Sequence, residues 1–359
     1  MNGASPSRRQ FLGGGAVAVV GLAGCLGRLD GTADEEDDDR ATDGTDAGDG
    51  KEPEVRDDEA EEEEEPPDPP EGGAVVFVYD DGPMEDYTQA LPAHRAFDAP
   101  ATTGIVSEWI GREDFQNSGC MDVEHLEELV DAGWEICSHT TEHTAVGTLP
   151  LVEDAAPSDE RIYPEEIRHG YHRGKTLEIT DGERTLHRTV ADYGSDGTGR
   201  YIDLDEPLGE ACAAGDTIVR YPEEQVEEAL GKSKRDLEAL GFEIDTFLAP
   251  YDNFDDYSRG FATEHYDGIA NADHGSRINP REGFDPFHTK RDYFIEFTSP
   301  DSVRADLDEI GDRGALGVIG AHTFKEEVTE ERIHETLGWV DERGIEVLTL
   351  REAIERYAR

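Results

Sequence analysis

Positive charge is what this sequence has least of. Among 359 residues, 32 are Lys or Arg against 86 Asp or Glu, and only six of the bases are lysine. A net charge of −54 repels phosphate backbones and excludes a nucleic-acid binder. The excess is not confined to one tail, because residues 72–359 hold 64 acids and 26 bases, a net of −38. Self-repulsion of that size is relieved when salt screens it, so a high-salt source, of the haloarchaeal kind, is expected. Long apolar runs are also missing. The longest, residues 11–23, is too short to span a bilayer and has the length of the apolar part of an export signal. There are four cysteines and no internal repeat. Apart from Cys25, the three cysteines Cys120, Cys137 and Cys212 cannot all pair within the chain, and spacing alone assigns no disulfide.

The first 29 residues contain no acid, and then the composition flips. Ser7-Arg8-Arg9-Gln10-Phe11-Leu12 resembles a twin-arginine export signal, and Leu22-Ala23-Gly24-Cys25 resembles a lipobox. The resemblance implies that residues 1–24 are removed and that Cys25 carries lipid at the outer face of the membrane. Residues 30–71 hold 22 acids, five of them the consecutive Glu61 to Glu65, followed by a Pro-rich stretch. With almost nothing to bury, residues 25–71 are expected to form a disordered acidic linker.

After Gly72-Gly73 short apolar strands alternate with helical stretches. Strands are expected at 74–79, 101–106, 134–138, 244–248, 268–270, 315–320 and 346–348. Helices are expected at 87–97, 123–132, 222–240, 255–265, 302–313, 330–343 and 351–357. Such alternation implies a parallel α/β sheet, open or closed into a barrel, with its chemistry beyond the carboxyl ends of the strands. The break at 151–221 is too long for an ordinary loop. It contains strand-like segments at 175–180, 185–190, 200–204 and 217–220 and a hairpin signal at Asp181-Gly182, so a small antiparallel β insert is expected there. Tyr171, His172, Tyr193 and Tyr201 within it are candidates for stacking on sugar rings; a stabilising decoration is the plainer reading.

The strand-end rule selects few polar residues. Asp80 and Asp81 follow the first strand, and two adjacent carboxylates at the mouth of a buried strand are costly unless a cation holds them. His139 and His143 follow the third, four residues apart, a spacing that offers two imidazoles to one metal. Pro250-Tyr251 and His322 end two later strands. Taken singly, His322 is as readily a structural histidine, and Pro250-Tyr251 a turn.

Taken in order, Tyr79-Asp80-Asp81-Gly82-Pro83, His139-Thr140-Thr141-Glu142-His143, Ala249-Pro250-Tyr251 and Gly320-Ala321-His322 resemble the motifs of the polysaccharide deacetylase family, also called the NodB-homology or carbohydrate esterase 4 family. The resemblance covers about 74–150 and 222–350. It implies a distorted (β/α)7 barrel over 72–359, interrupted by the β insert, in which metal-bound water removes N- or O-linked acetyl groups from a polysaccharide. Asp81, His139 and His143 would then bind a divalent metal, Zn²⁺ before Co²⁺ or Ni²⁺. Asp80 would be the general base, the Tyr251 N–H an oxyanion donor and His322 the acid for the leaving group. The family's arginine two residues before the Pro-Tyr pair is missing, since Leu248 stands there. Arg291 is a candidate to replace it, and Asp273 a candidate to orient His322. Two other readings stay open: a non-catalytic glycan-binding lipoprotein on the same scaffold, and a hydrolase of small-molecule amide C–N bonds.

Overall fold

The computed structural model describes residues 67–116 and 118–358. The export signal, Cys25 and the acidic linker as far as residue 66 lie outside the described residues. The segment Ala74-Val75-Val76-Phe77-Val78-Tyr79 is buried along its whole length, which is how a strand reads when helices cover both faces of a parallel sheet. It pairs in parallel with Leu316–Ala321 on one side. On the other side it pairs with Glu346–Leu348 along its first half and with Thr102–Ile105 at its last two residues. From Thr102–Ile105 the sheet continues through Glu135–Ser138 and Thr246–Phe247 to Gly268–Ile269, and beyond Leu316–Ala321 it reaches Lys290–Tyr293 and Asp273–His274. The parallel sheet curls into a half-barrel, and its two terminal strands do not pair with each other.

The helices are bounded by local chemistry that the sequence carries openly. Asp122, Asp255, Ser299, Thr329 and Thr349 each accept a backbone N–H in the first turn of the helix that follows. Most expected elements are present with ends within two residues of expectation. The expected 87–97 helix is a single π turn, Asp86–Ala90, running into a five-residue helix, Leu91–Arg95. The strand Lys290–Tyr293 gave no signal in the sequence, because Lys-Arg-Asp-Tyr has neither an apolar run nor alternation.

A second, antiparallel sheet is built from Leu149–Pro150, Ile218–Arg220, Thr176–Thr180, Thr185–Ser195, Arg200–Leu204 and Arg161–Ile162, in that spatial order. The Asp181-Gly182 turn closes its central hairpin, with Asp181 Oδ1 accepting the N–H groups of Glu183 and Arg184 and Gly182 at φ 86°. This sheet leaves the half-barrel just after His143. Its entry is pinned to the loop following Thr246–Phe247: the Gly147 N–H donates to the Asn253 carbonyl and side chain, and Thr148 donates twice to Asp255. Cys120, Cys137 and Cys212 are buried and free, and burial raises all three thiol pKa values, so they pack as small apolar groups. Among the described residues no helix is long and apolar enough to cross a membrane.

Candidate active site

The carboxyl ends of the parallel strands bring Asp80, Asp81, His139, His143, Tyr251, Arg291 and His322 into one cluster. They divide into two groups around the adjacent aspartates. Asp81 Oδ1 lies 3.3 Å from His139 Nε2 and 3.0 Å from His143 Nε2. His139 Nδ1–H donates to the Leu248 carbonyl at 2.7 Å, which fixes the tautomer and leaves Nε2 with a lone pair facing the carboxylate. Asp81 Oδ1 and His139 Nε2 are both buried with no hydrogen-bond partner. Two acceptors buried face to face without a proton between them repel, and a cation between them removes the repulsion. Three ligand atoms within 4.8 Å of one another, two imidazole nitrogens and one carboxylate oxygen, therefore fit a divalent metal with open positions. Burial keeps His143 neutral, the form that ligates.

Asp80 faces the other way. Arg291 grips it with two parallel bonds, Nη1 to Oδ1 at 2.5 Å and Nη2 to Oδ2 at 3.0 Å, and reaches Asp252 Oδ1 at 3.0 Å. Arg291 thus stands where the missing third-motif arginine was sought, and it arrives from the strand that the sequence hid. It lies across Gly320, where an added Cβ would sit 2.9 Å from Nη1, so the neighbouring strand needs glycine at that position. Asn271, fully buried, donates to Asp252 at 2.7 Å and brackets both backbone groups of Ala249, which holds the start of the Pro250-Tyr251 turn.

His322 Nε2 points at Asp80 Oδ2 from 3.8 Å, and its Nδ1 meets Glu296 Oε1 at 2.6 Å. Burial would lower the His322 pKa, but Asp80 and Glu296 raise it to about 9, so the ring is a cation at neutral pH. The residue that orients His322 is Glu296, not Asp273. Asp273 is exposed on its two-residue strand, where it pairs with Lys290. Glu296, Asp252 and Asn271 escaped the sequence reading; the one available signal was that Asp252 directly follows Pro250-Tyr251. Glu296→Gln should lower the His322 pKa and move the alkaline limb of the kcat profile to lower pH. A limb that stays in place would show that Glu296 does not set the proton on His322.

Backbone strain concentrates here. Asp81, Thr140, His143, Tyr251 and Asp252 all adopt φ between 53° and 79°. Such conformations cost of order 1–3 kcal/mol each in a non-glycine residue and persist only where packing imposes them. Aromatic rings close around the centre. Trp109 and Tyr251 pack on His143 at 5.3 and 4.3 Å, while Tyr293 and Phe324 each lie 5.5 Å from His322. From the β insert, Tyr171 is 38% exposed and packs on Tyr251 at 5.6 Å and on Tyr193 at 5.2 Å. His172 lies near Tyr221, at 6.3 Å, and hydrogen-bonds the backbone of His143, whereas Tyr201 is covered by Arg161 3.5 Å from its ring centre.

The family profile described as "Polysaccharide deacetylase" matches residues 68–183, the stretch that supplies Asp80, Asp81, His139 and His143. The match covers about a third of the chain. Solved structures similar to this chain include a family 4 carbohydrate esterase from Streptomyces lividans in complex with acetate, at 11% identity over 77% of this chain and 91% of that one, TM-score 0.38. The peptidoglycan deacetylase PdaC from Bacillus subtilis is 10% identical over 79% and 91%, TM-score 0.40. A family 4 pseudoenzyme from Bacillus anthracis is 12% identical over 79% and 66%, TM-score 0.41. No curated protein matches the sequence.

Proposed function

We propose that this chain is a metal-dependent hydrolase that removes N- or O-linked acetyl groups from a cell-surface or extracellular polysaccharide. One observation supports this best: the adjacent carboxylates are separated in role, Asp81 facing two imidazoles while Asp80 is locked by Arg291 and faces a cationic His322. A scaffold that only bound glycan would have no use for that division.

Asp81, His139 and His143 would hold the metal, Zn²⁺ first with Co²⁺ or Ni²⁺ as alternates. When bound, such a cation supplies Lewis acidity at the acetyl carbonyl and lowers the pKa of water towards 7. The protein's own groups move the protons. Asp80, with both oxygens already fixed by Arg291, takes the proton of the attacking water on a remaining lone pair. The Tyr251 N–H is the donor for the oxygen that gains charge as the carbonyl carbon becomes tetrahedral. His322 gives its proton to the leaving nitrogen or oxygen as the acyl bond breaks, and Glu296 stabilises the ring before that transfer. Acetate and a free amine or hydroxyl are the products.

The deciding experiment measures acetate release from acetylated glycans in molar KCl, before and after a chelator and after metal restoration. Release that stops with the chelator and returns with metal is expected. Release from the fully stripped protein would end the metal mechanism, and glycan binding without release would favour the non-catalytic reading. We further propose that the protein is exported and lipid-anchored through Cys25; Cys25→Ser should move it out of the membrane fraction, and unchanged retention would refute the anchor.

A further inference from the structure

In a chain this acidic, a base without a carboxylate is unusual. Among the described residues, Arg112, Arg161, Arg173, Arg184, Arg188, Arg200, Arg220, Arg259, Arg277, Arg291, Arg304, Arg313, Arg332, Arg343, Arg351 and Arg356 all pair with Asp or Glu. Lys175, Lys232 and Lys234 do too. Of the remainder, Arg95, Arg235 and Lys290 are exposed, and Arg281 donates to the carbonyls of Pro69 and Pro70. That leaves Arg168 and Lys325, both half-buried and neither with a side-chain hydrogen bond or a carboxylate partner.

Each lies over a ring that packs on a histidine of the candidate site. The Arg168 guanidinium sits 5.6 Å from the centre of the Tyr251 ring, which packs on His143. The Lys325 ammonium sits 5.1 Å from the centre of the Phe324 ring, which packs on His322. One cation therefore stands beside the Asp81 side of the centre and the other beside the His322 side. A cation on an aromatic face keeps its outward N–H groups free to donate, and a partly dehydrated cation with free donors is a site for an anion.

We propose that Arg168 and Lys325 select a glycan bearing an anionic substituent, carboxylate or sulfate, next to the acetylated sugar. The inference rests on the deacetylase reading and narrows its substrate class. The overall charge does not oppose it in salt. At 1 M the screening length falls to about 3 Å, so repulsion from distant carboxylates is quenched while two contact-range cations still act. Selection therefore comes from direct contact and not from the long-range field.

Arg168→Gln and Lys325→Gln would be compared with the unaltered chain on acetylated xylan, acetylated polygalacturonate and an acetylated sulfated galactan, all in 2 M KCl. Unaltered protein is expected to prefer an acidic polymer, and the carboxylated and sulfated arms identify which anion. Each variant should raise KM for that polymer by about tenfold, the size of one charge-assisted hydrogen bond, and move KM for xylan much less. Equal changes on acidic and neutral polymers, or no acidic preference in the unaltered chain, would overturn the proposal. Direct binding to unacetylated polygalacturonate and xylan separates the two readings. A polygalacturonate preference lost in Arg168→Gln, with no acetate released from any polymer, would sink the deacetylase reading and leave the anion site standing.

Discussion

Asp80→Asn is expected to abolish turnover and leave the metal content intact, whereas Asp81→Asn and His139→Ala are expected to lose both. The aspartates are adjacent in sequence, so only their surroundings can separate their roles. Asp81 is turned to φ 79°, and that rotation sends its carboxylate toward His139 and His143 while Asp80 keeps its own for Arg291. Asn at position 80 can still accept from Arg291 but cannot take a proton from water, so a fall of roughly 10²–10⁴ in kcat is expected, the usual weight of a positioned base. Asn at position 81 offers a neutral oxygen where three ligand atoms converge, and the two imidazoles alone would hold a divalent ion weakly. Metal analysis of the purified variants beside acetate release checks both. Loss of metal in Asp80→Asn would mean that the base and the ligand have been exchanged.

The division between what the sequence discloses and what it hides follows physical range. Strands such as Ala74–Tyr79 and Leu316–Ala321 are continuous apolar runs, and their ends marked Asp80, Asp81, His139, His143 and His322 without any structure. The Asp-Gly hairpin and the strands around it were legible because turn chemistry is local. Arg291 was reachable only as a candidate charge, since nothing in Lys-Arg-Asp-Tyr marks a strand; Gly320, standing in a buried strand as a sign of close approach, was the readable half of that contact. Glu296 and Asn271 act across folded distances, on His322 26 residues away and on Ala249 22 residues away, and no local pattern encodes such pairings. The left-handed backbone at Asp81, His143 and Tyr251 was equally hidden, because these residue types do not announce a positive φ as glycine does. The parallel sheet was legible in its alternation, but its failure to close was not, since closure depends on whether the end strands meet in space.

Arg291→Met should be the most destabilising single change at the site. Arg291 is 2% exposed and is shared by Asp80 and Asp252, so its removal leaves the buried Asp80 with only His322 as a cationic neighbour and strips the part-buried Asp252 of its arginine. Breaking a buried pair by removing one partner costs about 3–5 kcal/mol, and for a domain of this size that is a drop of roughly 10 °C in Tm. Burial would raise the Asp252 pKa, but Arg291 with Asn271 holds it below the usual carboxylate value. In the unaltered chain that depressed pKa contributes stability above the unfolded carboxylate pKa, and the contribution is lost as pH falls through the folded value. Without Arg291 the sign reverses at Asp252, because burial then favours its protonated form, so the gap in Tm between variant and parent should narrow as pH falls toward about 4. Adding Asp252→Asn to Arg291→Met removes one of the two stranded charges and should recover part of the lost stability at neutral pH, but no turnover, since Asp80 still lacks its two-point grip. Arg291→Lys keeps the charge without the fork and should fall between the two in stability while remaining slow. Thermal unfolding of the four proteins at fixed KCl and several pH values, with acetate release beside it, reads every one of these signs. An Arg291→Met variant as stable as its parent, with a pH-independent gap, would show that the pair does not carry the charge balance of the site.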